Sequence, residues 1–85
     1  MKTSPLYRFD LYEPDVDGSH RERMPSSSEC YRTSRPIEVA RRYMRIVNAT
    51  NNETFFSSIV VWEVHGEGGA TFIKHIIAPR KKKTA

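Results

Sequence analysis

Phe55-Phe56-Ser57-Ser58-Ile59-Val60-Val61-Trp62-Glu63-Val64-His65-Gly66-Glu67-Gly68-Gly69-Ala70-Thr71-Phe72-Ile73-Lys74-His75-Ile76-Ile77-Ala78 is the stretch on which the fold turns. β-branched and aromatic residues crowd both of its ends, and a glycine cluster sits between them. The pattern predicts a strand over Phe55–His65, a turn at Gly66–Gly69 and a returning strand over Ala70–Ala78, stopped by Pro79. The glycines join two strands and open no helix. They therefore lack the helix N-terminus on which phosphate loops depend, and they read as a hairpin turn.

Strict alternation sorts this hairpin into two faces. Val60, Trp62 and Val64 share one face, and Ile59 and Val61 the other. The returning strand divides as Phe72 and Ile76 against Ile73 and Ile77. Both faces thus carry large apolar groups, whereas one helix covers one face of a small sheet. The other face needs a cover: the 14–34 loop, a second copy or another partner. Ile59 and Val61 are assigned to that candidate interaction surface.

Upstream, Leu6 to Tyr12 also alternates. Tyr7, Phe9 and Leu11 point one way and Arg8 and Asp10 the other, as in a half-buried strand. Pro14 and Asp15-Val16-Asp17-Gly18 end it with turn residues. Residues 14–34 hold prolines, serines and mixed charge. They form either a long loop or a loose hairpin in which Cys30–Thr33 adds a short strand.

Ser34-Arg35-Pro36 opens a helix. Pro36 suits the first turn, and Glu38 suits the positive end of the dipole. Ile37, Val39, Ala40, Tyr43, Met44, Ile46 and Val47 fill one half of its wheel; Glu38, Arg41, Arg42, Arg45 and Asn48 fill the other. The asparagines from Asn48 onward break the pattern. The expected fold is α+β: three or four mainly antiparallel strands with one helix on one face. Residues 1–79 make the single domain, and 80–85 a basic tail.

The chain has 85 residues and a formal charge of +4, from 14 Lys+Arg against 10 Asp+Glu. Arg80, Lys81, Lys82 and Lys83 account for all of that excess, leaving ten basic and ten acidic residues before Pro79. The basic pI therefore describes a tail more than a body. Such a tail could grip phosphates or resemble a nuclear-import cluster; the plain reading is a solvated end. Arg35, Arg41, Arg42 and Arg45 make a second basic surface on the helix, and guanidinium forks pair well with carboxylate or phosphate. Glu38, at i−3 to Arg41 and i−4 to Arg42, is expected to neutralise part of it. No aromatic residue interleaves these arginines in sequence, which weakens base stacking.

Catalytic and metal signatures are thin. A calcium loop starting at Glu13 would place Arg21 at its ninth position and Met24, not glutamate, at its twelfth. His20, His65 and His75 stand in no zinc spacing. Cys30 is a lone cysteine without a nucleophile signature; it forms no internal disulfide and suits a reducing compartment. No signal-peptide pattern and no apolar run of membrane-spanning length occurs.

The sequence therefore leads to a small soluble, cytoplasmic, non-enzymatic protein-binding module with no cofactor or metal. An adaptor, an inhibitor, a subunit of a larger complex or a phage- or plasmid-type regulator fits the profile. Its expected contacts are a protein partner or self-association through the sheet, with no membrane. The alternative is nucleic-acid binding through the helix arginines and the tail.

Overall fold

The computed structural model describes residues 4–14, 24–50 and 54–78. Four strands and one helix follow in the order β1 (Leu6–Tyr12), β2 (Ser27–Arg32), α1 (Pro36–Thr50), β3 (Ser58–Val64) and β4 (Ala70–Ile77). The strands form one antiparallel sheet in the spatial order β2-β1-β3-β4. This is the expected α+β arrangement, with the 14–34 segment supplying the fourth strand. That strand starts at Ser27, earlier than the predicted Cys30, because its polar residues pair with β1: Ser28 faces Asp10 and Cys30 faces Arg8. Cross-strand partners override the poor strand propensity of serine.

β2 and β3 both run antiparallel to β1, so they are parallel to each other with β1 between them. α1 carries the chain from edge strand β2 across the sheet to β3, and it packs on β3 and β1. Thr33 Oγ1 accepts a hydrogen bond from the Arg35 N–H at 2.9 Å. The Arg35 carbonyl accepts the first helical bond, from the Val39 N–H. At the far end the Asn48 side chain grips Phe56: its Nδ2 donates to the Phe56 carbonyl and its Oδ1 accepts the Phe56 N–H. That grip explains two departures from the sequence reading. Asn48 is half-buried, not on the solvent half of the wheel. β3 begins at Ser58, not Phe55, because an asparagine occupies the backbone groups of Phe56.

The core lies between α1 and the sheet. Phe9 and Leu11 of β1, Ile59 and Val61 of β3, Ile76 of β4 and Ala40 and Met44 of α1 form it, with Phe56 and Ala78 at its margin. Ile59 and Val61 have no exposed surface. They do not belong to an interaction surface, because the helix covers their face; on the opposite face Val60 is equally buried, and Trp62 and Val64 are half-buried.

The returning strand also departs from strict alternation. Val61 pairs with Lys74, but Trp62 pairs with Phe72, so Ile73 is an extra residue in β4. This bulge moves Phe72 to the face of Trp62, opposite Ile76. The period-of-two grouping of Phe72 with Ile76 fails there, because a bulge reverses which side every later residue takes. The gain is an edge-to-face ring contact between Trp62 and Phe72, with centroids 5.8 Å apart. The hairpin closes as a three-residue loop. Gly68 N–H donates to His65 O, His65 N–H donates to Gly69 O, and Gly68 takes φ +85°, which only glycine adopts cheaply.

Truncating Ile59 to alanine is expected to cost about 3 kcal/mol, from lost burial and the cavity left under α1. Gly68→Ala is expected to cost about 1 kcal/mol through backbone strain alone. Urea unfolding of the two variants checks both values.

Candidate functional site

α1 does not span the sheet. Register places Glu29 and Tyr31 of β2 opposite Phe9 and Tyr7, on the helix side. On α1, Val39, Arg42, Tyr43 and Ile46 are spaced i, i+3, i+4 and i+7, so they share the flank turned toward β2. Between flank and strand lies an open cleft of about 530 Å³, floored by Phe9 and entered past Thr33, Arg35 and Glu38. Ile46, read from the wheel as core, is 50% exposed, and Tyr31 is 58% exposed. Only Ala40 and Met44 of the helix are fully buried. The helix has more apolar surface than the sheet beneath it takes up.

The charges that line the cleft are Arg35 and Arg42 against Glu29 and Glu38. Glu38 does not serve Arg41 or Arg42: it pairs back to Arg35, Nη1 to Oε2 at 3.4 Å. Both members of that pair are largely exposed, and it contributes little to stability. Arg41, Arg42 and Arg45 are exposed, and no carboxylate among the described residues pairs with them. Of the sequence-derived candidates, Arg35 and Arg42 line the cleft; Arg41 and Arg45 do not, and Arg41, about 200° around the helix from Val39, lies on the flank turned away from β2. Arg80, Lys81, Lys82 and Lys83 lie outside the described residues.

The outer edge of β2 is a third feature. Thr33 N–H donates to Pro5 O at 3.1 Å, which marks these two as a hydrogen-bonded pair. Antiparallel pairs alternate, so Ser27, Glu29 and Tyr31 turn their backbone groups toward β1. Ser28, Cys30 and Arg32 turn theirs outward, where no described strand pairs with them.

The face away from α1 is unlike the cleft. Asp10 is buried there and accepts a hydrogen bond from Ser28 Oγ at 2.7 Å. Arg8 Nε lies 3.2 Å from the same carboxylate oxygen, though its N–H is not aimed for a hydrogen bond. The Arg8 guanidinium also lies over the Trp62 ring, 5.4 Å from its centroid. Trp62 Nε1 and Ser58 Oγ are buried and meet no hydrogen-bond partner. This array ties β2, β1 and β3 together across one face.

Among the described residues, no group of three or more His, Cys, Asp or Glu side chains is arranged to hold a metal ion. No described helix is long and apolar enough to cross a membrane. Compared with known proteins, the chain matches no family model, no curated protein and no solved structure.

The strand side of the cleft escaped the sequence reading. Glu29 and Tyr31 alternate correctly for one face of β2, but their neighbours Ser27 and Ser28 read as loop. Seven apolar residues on one half of a 15-residue helix were the usable signal, since a core stripe needs fewer.

Asp10→Ala is expected to cost about 2 kcal/mol, because it leaves Arg8 and Ser28 facing a void where a buried acceptor stood. Ile46→Glu, on the cleft wall, is expected to change stability by less than about 0.5 kcal/mol. Urea denaturation separates the structural face from the available one.

Proposed function

We propose that this chain is a small non-enzymatic protein-binding module, acting as an adaptor, an inhibitor or a subunit of a larger complex. It holds its partner in the cleft between α1 and β2. The observation that carries this reading is the pair of exposed apolar walls, Tyr31 and Ile46, facing one open cleft whose lining includes the unpaired Arg42. Covering such surface contributes about 25 cal/mol per Å². Tyrosine and arginine are also the residues in which binding energy concentrates at interfaces. A compact phage- or plasmid-type regulator has this profile. The lone, exposed Cys30 suits a cytoplasmic setting.

One observation favours a second reading. The fold brings Tyr31 and Tyr43 into the same cleft as Arg42, an aromatic–arginine neighbourhood that can stack a nucleic-acid base. Against it, Glu29 and Glu38 line the same cleft and repel phosphate, and Val39, Ile46 and Phe9 give it an apolar lining.

Capture from lysate on the immobilised chain, with and without nuclease, compares the wild type with Ile46→Glu. The expected result is a protein retained by the wild type, indifferent to nuclease and lost from the folded variant. Retention that nuclease abolishes, or that the variant leaves intact, overturns this reading, and the former outcome selects nucleic acid.

A further inference from the structure

We infer that β2 is a dimerisation edge: two copies of the chain pair β2 against β2, antiparallel, about a twofold axis at Cys30, and join their four-stranded sheets into one. This goes beyond the protein-binding reading and does not depend on it.

The two free edges of the sheet differ. β4 carries devices that blunt a strand edge: a bulge at Ile73, Lys74 beside it and Pro79 just past its end. β2 has none of these. Its register with β1 runs unbroken from Ser27 to Arg32, and it holds no proline, lysine or bulge. Ser28, Cys30 and Arg32 turn their N–H and C=O groups outward in the repeat that a further strand needs.

The order of residues along β2 selects a second copy as that strand. Cys30 is the middle one of the outward residues. A ladder centred there uses all of them from both copies: Ser28 pairs with the partner's Arg32, and Cys30 with the partner's Cys30. Between these pairs Glu29 falls opposite the partner's Tyr31, a carboxylate beside a phenol. Glu29 and Arg32 are the charged residues of β2, and neither meets its like. An axis at Glu29 would set two carboxylates face to face, and one at Tyr31 would leave Ser28 outside the ladder. The helices do not collide. α1 lies over β1 and β3, so the two helix axes stand four strand spacings apart, about 19 Å, and each helix is about 10 Å wide. Their clefts then open on each other across a floor of Glu29 and Tyr31 from both copies.

Cys30 is the chain's one cysteine and is exposed, so it reports the axis. Cα atoms of a hydrogen-bonded antiparallel pair lie about 5.5 Å apart, inside the span of about 4.4–6.8 Å that a disulfide bridges. Sedimentation equilibrium of the reduced full chain should reach twice its 9.9 kDa mass as concentration rises to about 1 mM. Dimer formation should slow hydrogen exchange at the amides of Ser28, Cys30 and Arg32 at least about tenfold. Copper-catalysed air oxidation, which takes two electrons and two protons from a thiol pair, should link the copies through Cys30. Moving the thiol, with Arg32→Cys and Cys30→Ser together, should slow linking at least about tenfold, because residue 32 lies about 14 Å from its own counterpart across the axis. Cys30→Pro removes an outward N–H and none bonded to β1, and should give a folded monomer. Cys30→Glu tests the same contact without touching the backbone: it sets carboxylates opposite each other and should weaken the dimer about fivefold.

A chain that stays monomeric at about 1 mM overturns the inference. So does a dimer that protects β4 in place of β2, one that Cys30→Glu leaves at full strength, or linking that is as fast from residue 32. None of these outcomes bears on the capture of a partner in the cleft, which the nuclease and Ile46→Glu experiment decides separately.

Discussion

A helix with its side chains is about 10 Å wide, and four strands spaced about 4.8 Å apart make a sheet about 19 Å wide. One helix therefore covers about half of one face, wherever it lies. Here it lies over β1 and β3, because it must leave edge strand β2 and deliver the chain to β3, with β1 between them. Under that footprint Phe9, Leu11, Ile59 and Val61 lose their water, while Tyr31 and Ile46 beside it keep much of theirs. The cleft is the part of the sheet face that the helix is too narrow to reach.

Polar ties decide where the helix stops. Thr33 holds the backbone just before α1, and Asn48 binds both backbone groups of Phe56 just after it. A two-bond grip by one side chain pins the helix end to the entry of β3. The opposite face uses polar chemistry differently. Asp10 is buried there, accepts a hydrogen bond from Ser28 of β2 and lies beside Arg8 of its own strand, whose guanidinium sits over the Trp62 ring of β3. Such an array favours one strand register, since a one-residue slip would turn Asp10 into the apolar core.

The same geometry makes the two sides of the sheet unequal as binding surfaces. On the cleft side, apolar walls, the unpaired Arg42 and an open strand edge lie together, and each becomes less costly when a partner arrives. Apolar surface leaves water, the guanidinium gains acceptors, and outward amides gain a ladder. On the far side, the arginine at the surface is already held by Asp10 and Trp62. A partner there would have to break existing interactions before making new ones.

Much of the architecture was legible in the residues alone. Alternation in Leu6–Tyr12, the wheel of Pro36–Thr50 and the glycine turn at 66–69 depend on local periods and local backbone freedom, which a sequence carries directly. Arg35, Arg41, Arg42 and Arg45 could likewise be placed on an exposed helix flank from their spacing. What the sequence could not decide were relations between distant segments. β2 becomes a strand only because Ser28 finds Asp10 and Cys30 finds a place opposite Arg8. Glu38 turns to Arg35 and not to Arg41 or Arg42. Phe72 changes face through a bulge that lets its ring meet Trp62. Ile59 and Val61 become core, and Ile46 becomes surface, according to where a helix narrower than its sheet comes to rest. Those outcomes depend on which long-range contact is more favourable, and only the tertiary structure compares them.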